Sequence, residues 1–361
     1  MSRIRFALVA FALSGLASGC AGKDPIAQEP STTTPEVAPD ASVEPVVGAS
    51  GDGPEAPPDA NTPTLAAMRN TSGQFDSSIT YNNREGRARK ITYRVWFPKE
   101  RTGSLPTILV SHGGDGGSSG YMGFAHLGSE YSASGYLSIH LNHLPSTTPA
   151  QHQRDRPDDV KAILDGLQSG RLALPPSRSA DMDRIGHAGH SWGAYTSHAV
   201  AGAVFEHGTY GDARIRAFAP MSPQGWGGFG AFDVQQDIGK PSSSNSWMGV
   251  TIPSYNIVGG DEQDGDTSGF ICKGWRLFPF ERYPAKGDKY LSVIPGQDHF
   301  QIGGAANAAV LEYIARNTRL FFDVYLRGQT ASACAIGTLS LYPGTQNRRK
   351  AAAGSPGSVC P

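Results

Sequence analysis

The sequence predicts an α/β fold in which helices cover both faces of a mostly parallel sheet. Short apolar runs that end in glycine or polar residues alternate along the chain with segments of helical periodicity. Such alternation is typical of parallel sheets built from strand–helix–strand units. We expect this fold in residues 71–361, roughly 290 residues, which is enough for one domain with a substantial core.

The N-terminal segment 1–20 has the pattern of a bacterial export signal. Arg3 and Arg5 precede an apolar run that is too short to span a bilayer, and small residues follow it up to Cys20. The residues before Cys20 resemble a lipobox, in which the cysteine is acylated and becomes the new N-terminus. The alternative is an ordinary signal peptide cleaved near Ala17. We expect an exported lipoprotein of the cell envelope that is either attached to a membrane through lipidated Cys20 or released extracellularly.

Residues 21–70 are rich in Pro, Ala, Ser, Thr, Asp and Glu, and they nearly lack aromatic side chains. A segment of this composition buries too little apolar surface to offset its conformational entropy. We therefore expect a disordered tether between the export signal and the folded domain.

The charge of the chain argues against nucleic acid as a partner. The net charge is −1, and the Lys and Arg residues are dispersed apart from a short run at 348–350. Nucleic-acid binding requires a continuous basic surface, which this pattern does not provide.

The elements of the domain follow from local patterns. Residues 91–97 alternate in the manner of a half-buried strand, and the shorter apolar runs are typical of buried parallel strands. Strands are predicted at 91–97, 106–111, 136–141, 184–188, 215–219, 252–258 and 290–294. Helices are predicted at 155–168, 194–205 and 305–327, the last being long and amphipathic.

Three cysteines remain once Cys20 is set aside: Cys272, Cys334 and Cys360. Export permits a disulfide, and three cysteines allow one bond with one thiol left over. We favour Cys334–Cys360, which would attach the C-terminal tail to the domain, although pairings through Cys272 stay open. No Cys-x-x-Cys pair suggests zinc, and we expect neither a metal nor an organic cofactor.

The strongest motif is the G-H-S-W-G segment from Gly189 to Gly193, which lies between a predicted strand and a predicted helix. This arrangement indicates a nucleophile elbow, a strained turn that presents the hydroxyl of Ser191 above the carboxyl ends of the strands. The alternative without catalysis is a simple tight turn, because the chain contains 45 glycines and a G-x-S-x-G pattern can then arise by chance. The motifs before and after the elbow favour the catalytic interpretation.

Upstream of the elbow, Ser111 to Gly114 (S-H-G-G) follows a predicted buried strand. A tetrahedral intermediate needs two N–H donors for its oxyanion, one after the nucleophile and one from this earlier loop. We predict the amides of Trp192 and Gly114 as those donors. No Gly-Lys-Ser/Thr follows the glycines, so the loop does not fit a phosphate site.

Downstream, His299 follows the last predicted parallel strand and precedes the last helix, as the general base of such a site would. The acid that orients it should come from the acidic loop after strand 252–258. We predict Asp264, with Asp261 next and Glu262 or Asp266 behind them. The same loop could instead bind Ca²⁺, but it lacks the register of an EF-hand.

Together these motifs resemble those of the α/β-hydrolase group that contains dienelactone-hydrolase-like esterases, platelet-activating-factor acetylhydrolases and bacterial cutinase-like polyester hydrolases. The resemblance covers residues 91–326, and it includes the R-P-D-D-V segment at 156–160 as well as the motifs around Gly114, Ser191 and His299. It implies the α/β-hydrolase fold, a catalytic serine and histidine at Ser191 and His299, and an oxyanion amide at Gly114. True dienelactone hydrolases use a cysteine nucleophile, so Ser191 points away from that activity.

The resemblance and the motifs lead to one expected activity, hydrolysis of a small-molecule or polymeric carboxylic ester by a monomeric serine esterase. Acyl transfer to another acceptor, or cleavage of an amide or peptide bond, could use the same residues. A non-catalytic lipoprotein that binds a ligand of the cell envelope is the alternative from a different class.

Overall fold

The computed structural model describes residues 69–114, 120–146, 149–205, 208–225, 246–263 and 274–360. The predicted export signal with Cys20 and nearly all of the predicted tether lie outside these ranges, as do Asp264, Asp266 and Cys272. No helix within the described ranges is long and apolar enough to cross a membrane.

Within the described residues, nine strands form one mixed sheet in the order β1-β2-β4-β3-β5-β8-β9-β10-β11, and β6 pairs only with β7. The strands are β1 (Ser72–Asn82), β2 (Ala88–Pro98), β3 (Gly103–Ser111), β4 (Leu137–Asn142), β5 (Arg178–His190), β6 (Val204–Phe205), β7 (Gly208–Thr209), β8 (Ile215–Met221), β9 (Ser254–Gly259), β10 (Lys289–Ile294) and β11 (Gln346–Lys350). The six strands from β4 to β10 in this order run parallel. β2 pairs antiparallel with both β4 and the edge strand β1, and the other edge strand, β11, pairs antiparallel with β10. The predicted α/β class with a mostly parallel sheet is confirmed.

The helices within the described ranges cover both faces of the sheet. They are α1 (Ala125–Ala133), α2 (Pro149–Gln168), α3 (Trp192–Val200), α4 (Phe278–Arg282) and α5 (Ala308–Arg327). On one face α1 and α5 pack together, and Leu127 and Phe322 lie in the same apolar cluster. On the other face α2 and α3 pack together, with Ile163 and Val200 in a second cluster. The two clusters bury both sides of the central strands, which explains why the residues of β4 and β9 are buried without interruption.

Each predicted strand coincides with an observed one, but the predicted helix at 194–205 is too long. The observed helix α3 ends at Val200, and Gly202 follows with a φ of 105°. Only glycine adopts that backbone conformation readily, so the chain leaves the helix there. Phe205 then pairs in the small β6–β7 ladder instead of continuing the helix.

The C-terminal segment is fastened to the domain at two places. Cys334 and Cys360 form a disulfide, as the sequence analysis favoured. The buried carboxylate of Asp288 accepts hydrogen bonds from the backbone amides of Ala352 and Gly357, at 3.0 and 2.8 Å. The last residues are therefore held both covalently and by buried hydrogen bonds.

We predict that replacing both Cys334 and Cys360 with serine lowers the free energy of unfolding by about 2–4 kcal/mol, because the bond closes a loop of 26 residues in the unfolded chain. Urea denaturation followed by fluorescence would measure the loss. A reductant should destabilise the wild type by a similar amount and leave the double variant unchanged. Equal stability of the oxidised wild type and the double variant would contradict the prediction.

Candidate active site

Ser191 lies on the turn between β5 and α3 with φ 55° and ψ −117°. A positive φ is unusual for a residue with a side chain, and it marks a strained turn. The amide of Ser191 donates to the carbonyl of Met221 in the neighbouring strand β8 at 3.0 Å. The strand-to-helix turn that the sequence motif predicted is therefore present at Ser191.

The two glycines of the motif are required by close backbone approaches. A Cβ atom at Gly189 would lie 2.3 Å from the carbonyl oxygen of Gly193. A Cβ atom at Gly193 would lie 2.0 Å from the carbonyl oxygen of Ser111, at the end of β3. Both distances are far inside van der Waals contact, so neither position accepts a side chain without movement of the backbone.

His299 lies in the loop after β10, where its Nε2 is 3.0 Å from the Oγ of Ser191. The Nε2–H of His190 donates to the backbone carbonyl of His299 at 2.8 Å, and the two rings lie 4.6 Å apart. Burial lowers the pKa of His190 to about 3, so its imidazole is neutral and adds no charge beside His299. The sequence analysis did not assign a role to His190, although it lies inside the motif.

The carboxylate beside His299 is that of Glu262, which the sequence analysis ranked behind Asp264 and Asp261. The Oε1 of Glu262 lies 2.8 Å from the Nδ1 of His299. Asp261 is exposed to solvent, while its neighbour Glu262 is buried because the 3₁₀ turn Asp261–Gln263 rotates successive side chains to different sides. Asp264 lies outside the described residues, and Glu262 already holds the position beside Nδ1.

The carboxylate of Glu262 has further donors. Its Oε2 accepts from the Oγ of Ser222 at 2.9 Å and from the amide of Gly259 at 3.0 Å, and the Nε of Arg276 lies 3.2 Å from Oε1. Burial alone would raise the pKa of Glu262, but the hydrogen bond to His299 and the charge of Arg276 together hold it below its ordinary value. Glu262 is therefore ionised at neutral pH.

The predicted oxyanion donors lie at the start of α3 and in the loop after β3. Trp192 is the first residue of α3, and Gly114 follows β3 with a φ of 58°. At Gly113, directly before Gly114, an added Cβ atom would lie 3.0 Å from the Cβ of Ser191 and 2.9 Å from the Nδ1 of His190. The loop after β3 thus packs directly against the elbow, as a two-part oxyanion hole requires.

Within the described residues, Trp192 is the tryptophan that borders Ser191, since it directly follows that residue. Trp247 and Trp275 are each only 2% exposed and belong to the interior, and Trp226 lies outside the described residues. Trp192 is half-buried, and the centres of its ring and the His152 ring lie 4.8 Å apart with the two rings nearly perpendicular. Trp192 is therefore the described tryptophan best placed to touch a substrate at Ser191.

Other features of the described residues lie apart from this site. A surface cavity of about 720 Å³ between β1 and α2 shares no residue with the site around Ser191. No group of three or more His, Cys, Asp or Glu residues in the described ranges has an arrangement that could hold a metal ion.

No protein-family model matches the chain, and no curated protein matches it significantly. The geometry of the site is therefore the basis for assigning a function. That geometry places a serine hydroxyl, an imidazole and a carboxylate in hydrogen-bonded sequence at the carboxyl ends of the parallel strands β5, β10 and β9. Such a relay can remove a proton from the hydroxyl when it attacks an electrophile.

We predict that Gly193→Ala destabilises the domain by more than about 2 kcal/mol, because the new methyl group would meet the backbone of Ser111. Gly166→Ala is a matched control, since it also adds a methyl group to a helical glycine but meets the movable side chain of Ile79 at 3.0 Å. Thermal unfolding of both variants would measure the difference. Similar melting temperatures for the two variants would show that the elbow tolerates a side chain at Gly193.

Proposed function

We propose that this protein is a serine hydrolase that cleaves carboxylic esters through an acyl-enzyme on Ser191. One observation carries the proposal: the unbroken series of hydrogen-bonding contacts from Ser191 Oγ to His299 Nε2 at 3.0 Å, and from His299 Nδ1 to Glu262 Oε1 at 2.8 Å. Because Nδ1 faces an ionised carboxylate, it carries the ring proton, which leaves Nε2 free to accept the proton of the serine.

The reaction takes two steps on these residues. Ser191 Oγ bonds to the ester carbonyl carbon while its proton passes to His299 Nε2, and the tetrahedral intermediate then collapses as His299 returns the proton to the departing alcohol. Water next attacks the acyl-enzyme, again giving its proton to His299. The bond between the carbonyl carbon and Oγ then breaks as His299 returns that proton to Oγ, which releases the carboxylic acid and restores the serine hydroxyl.

The topology supports an α/β-hydrolase fold for this domain. Ser191, Glu262 and His299 follow β5, β9 and β10, which run parallel and end at the same edge of the sheet. The order serine, acid, histidine along the chain is the order that this fold uses. Glutamate is an accepted acid in that order, so Glu262 fits the same proposal as the aspartates that the sequence analysis ranked first.

Ester hydrolysis is favoured over the three alternative functions of such a site. Acyl transfer and amide cleavage would use the same three residues, and a ligand-binding lipoprotein would need none of them. Ester hydrolysis needs no acceptor site other than one for water and no specialised group to protonate an amine. It is therefore the function that requires least beyond the contacts of the site.

We predict that a fluorophosphonate labels the wild-type protein on Ser191 and that the protein hydrolyses at least one member of a series of p-nitrophenyl esters of increasing chain length. Ser191→Ala should lose the label and at least about 10³-fold in kcat, because the nucleophile is gone. Ser169→Ala, at an exposed serine after α2, is the matched control and should behave as wild type. Equal, slow hydrolysis by wild type and Ser191→Ala, together with no labelling, would contradict the proposal and favour a binding protein.

We predict that Glu262→Gln lowers kcat by about 10²- to 10⁴-fold, because an amide can hold the imidazole in the unproductive tautomer and cannot stabilise its positive charge. Asp261→Asn is the control, since that side chain is exposed on the neighbouring residue. Steady-state kinetics on the best ester would measure both. If Asp261→Asn lost as much as Glu262→Gln, the assignment of Glu262 as the acid would be wrong.

A further inference from the structure

We infer that Arg156 and His112 are positioning residues for the oxyanion hole, because together they hold the three successive peptide carbonyls of His112, Gly113 and Gly114 and so fix where the amide of Gly114 points. This inference rests on the proposed function. It adds to that function a mechanism for orienting one of the two oxyanion donors, and neither residue has a role in the proton relay.

Arg156 supplies the first part of this arrangement. It lies in α2 with a fully buried side chain, and its guanidinium donates to the carbonyl of Gly114 at 3.2 Å and to the carbonyl of His112. Both carbonyls are thereby turned toward α2. Burying a guanidinium costs free energy unless its donors are satisfied, so these bonds tie the position of the loop to the position of the helix.

His112 supplies the second part, and its tautomer follows from its contacts. Its Nε2 accepts a hydrogen bond from the backbone amide of His143 at 2.9 Å, so Nε2 carries no proton. Nδ1 must then carry the ring proton and donate it to the carbonyl of Gly113 at 2.9 Å. Burial, assisted by the charge of Arg156, lowers the pKa of His112 to about 3, which keeps this neutral tautomer over the whole neutral range.

The consequence for Gly114 follows from the planarity of the peptide. The carbonyl of Gly113 and the amide of Gly114 belong to one peptide unit and point in opposite directions. When His112 holds that carbonyl, the amide of Gly114 is fixed on the other side of the unit. A flipped unit would instead present a carbonyl, whose partial negative charge would repel a developing oxyanion.

Arg156 also contacts the helix that carries the other donor. Its Nε donates to the Oγ1 of Thr196 at 3.0 Å, and Thr196 donates to the carbonyl of Trp192 at 2.8 Å. Trp192 is the first residue of α3, directly after the nucleophile. One guanidinium therefore links the loop of Gly114 to the first turn of the helix that begins with Trp192.

The test compares Arg156→Met with Arg154→Met, which makes the same change two residues away at a partly exposed arginine paired with Glu85. Arg156→Lys keeps the charge but cannot hold two carbonyls with a planar fork, so it should fall between wild type and Arg156→Met. His112→Phe keeps a ring of similar size and removes the donor to Gly113. It serves as the second variant if Arg156→Met does not fold.

The expected result is a loss of about 10²-fold or more in kcat for Arg156→Met and His112→Phe, with KM changed less than about threefold, because the lost interaction acts on the transition state. The inhibition constant of phenylboronic acid, whose adduct on Ser191 places an oxygen in the oxyanion hole, should rise by a similar factor. Arg154→Met should match the wild type in all three values.

Two outcomes would overturn the inference, and they differ from failure of the proposed function. The first outcome is an active wild type with folded Arg156→Met and His112→Phe variants that keep kcat and boronate affinity within about threefold. This outcome would contradict the inference but not the proposed function. The second outcome is a fall in kcat of these variants that is matched by a rise in their KM while their boronate affinity stays unchanged. This outcome would also contradict the inference. A wild type that is neither labelled at Ser191 nor active on any ester would overturn the proposed function itself.

Discussion

The close backbone approach between α3 and the end of β3 is the constraint on which the site depends. Gly193 lies so near the carbonyl of Ser111 that no side chain fits between them, and this approach sets where α3 can begin. Ser191 must then make the turn from β5 into α3 with a positive φ. Its strained conformation is stabilised by the packing of the two elements, and it leaves the hydroxyl within 3.0 Å of His299.

The buried region behind Ser191 also contains histidines that carry no charge. Ser111 ends β3, and its hydroxyl contacts the Nε2 atoms of both His143 and His187, at 2.8 and 3.0 Å. Burial holds the pKa of each ring far below its ordinary value, so these side chains act as hydrogen-bonding groups without charge. Polar side chains with a fixed shape can thus brace the strand ends without placing positive charge beneath Ser191.

The sequence identified the parts of the site that depend on local backbone geometry. Ser191 and His299 could be found because glycine spacing and the order of the strands constrain them. Glu262 could not be chosen over Asp261 from the sequence. A 3₁₀ turn decides which of these two adjacent carboxylates faces inward, and the amino-acid sequence alone is compatible with either orientation. Arg156 was also missed, since its role depends on contacts with carbonyls 42 and 44 residues away. The edge strands β1 and β11 lacked the apolar runs that marked the buried strands.

The position of the acid also explains why a glutamate serves there. Glu262 comes only three residues after Gly259, the last residue of β9, and it lies on a tight turn. The longer side chain of glutamate spans from that turn to His299, while its second oxygen returns to the amide of Gly259 and to Ser222. Donors on both oxygens fix the carboxylate before any proton moves. In the proposed reaction the carboxylate would therefore need no reorientation when His299 becomes charged, which is the condition under which electrostatic stabilisation lowers a barrier most.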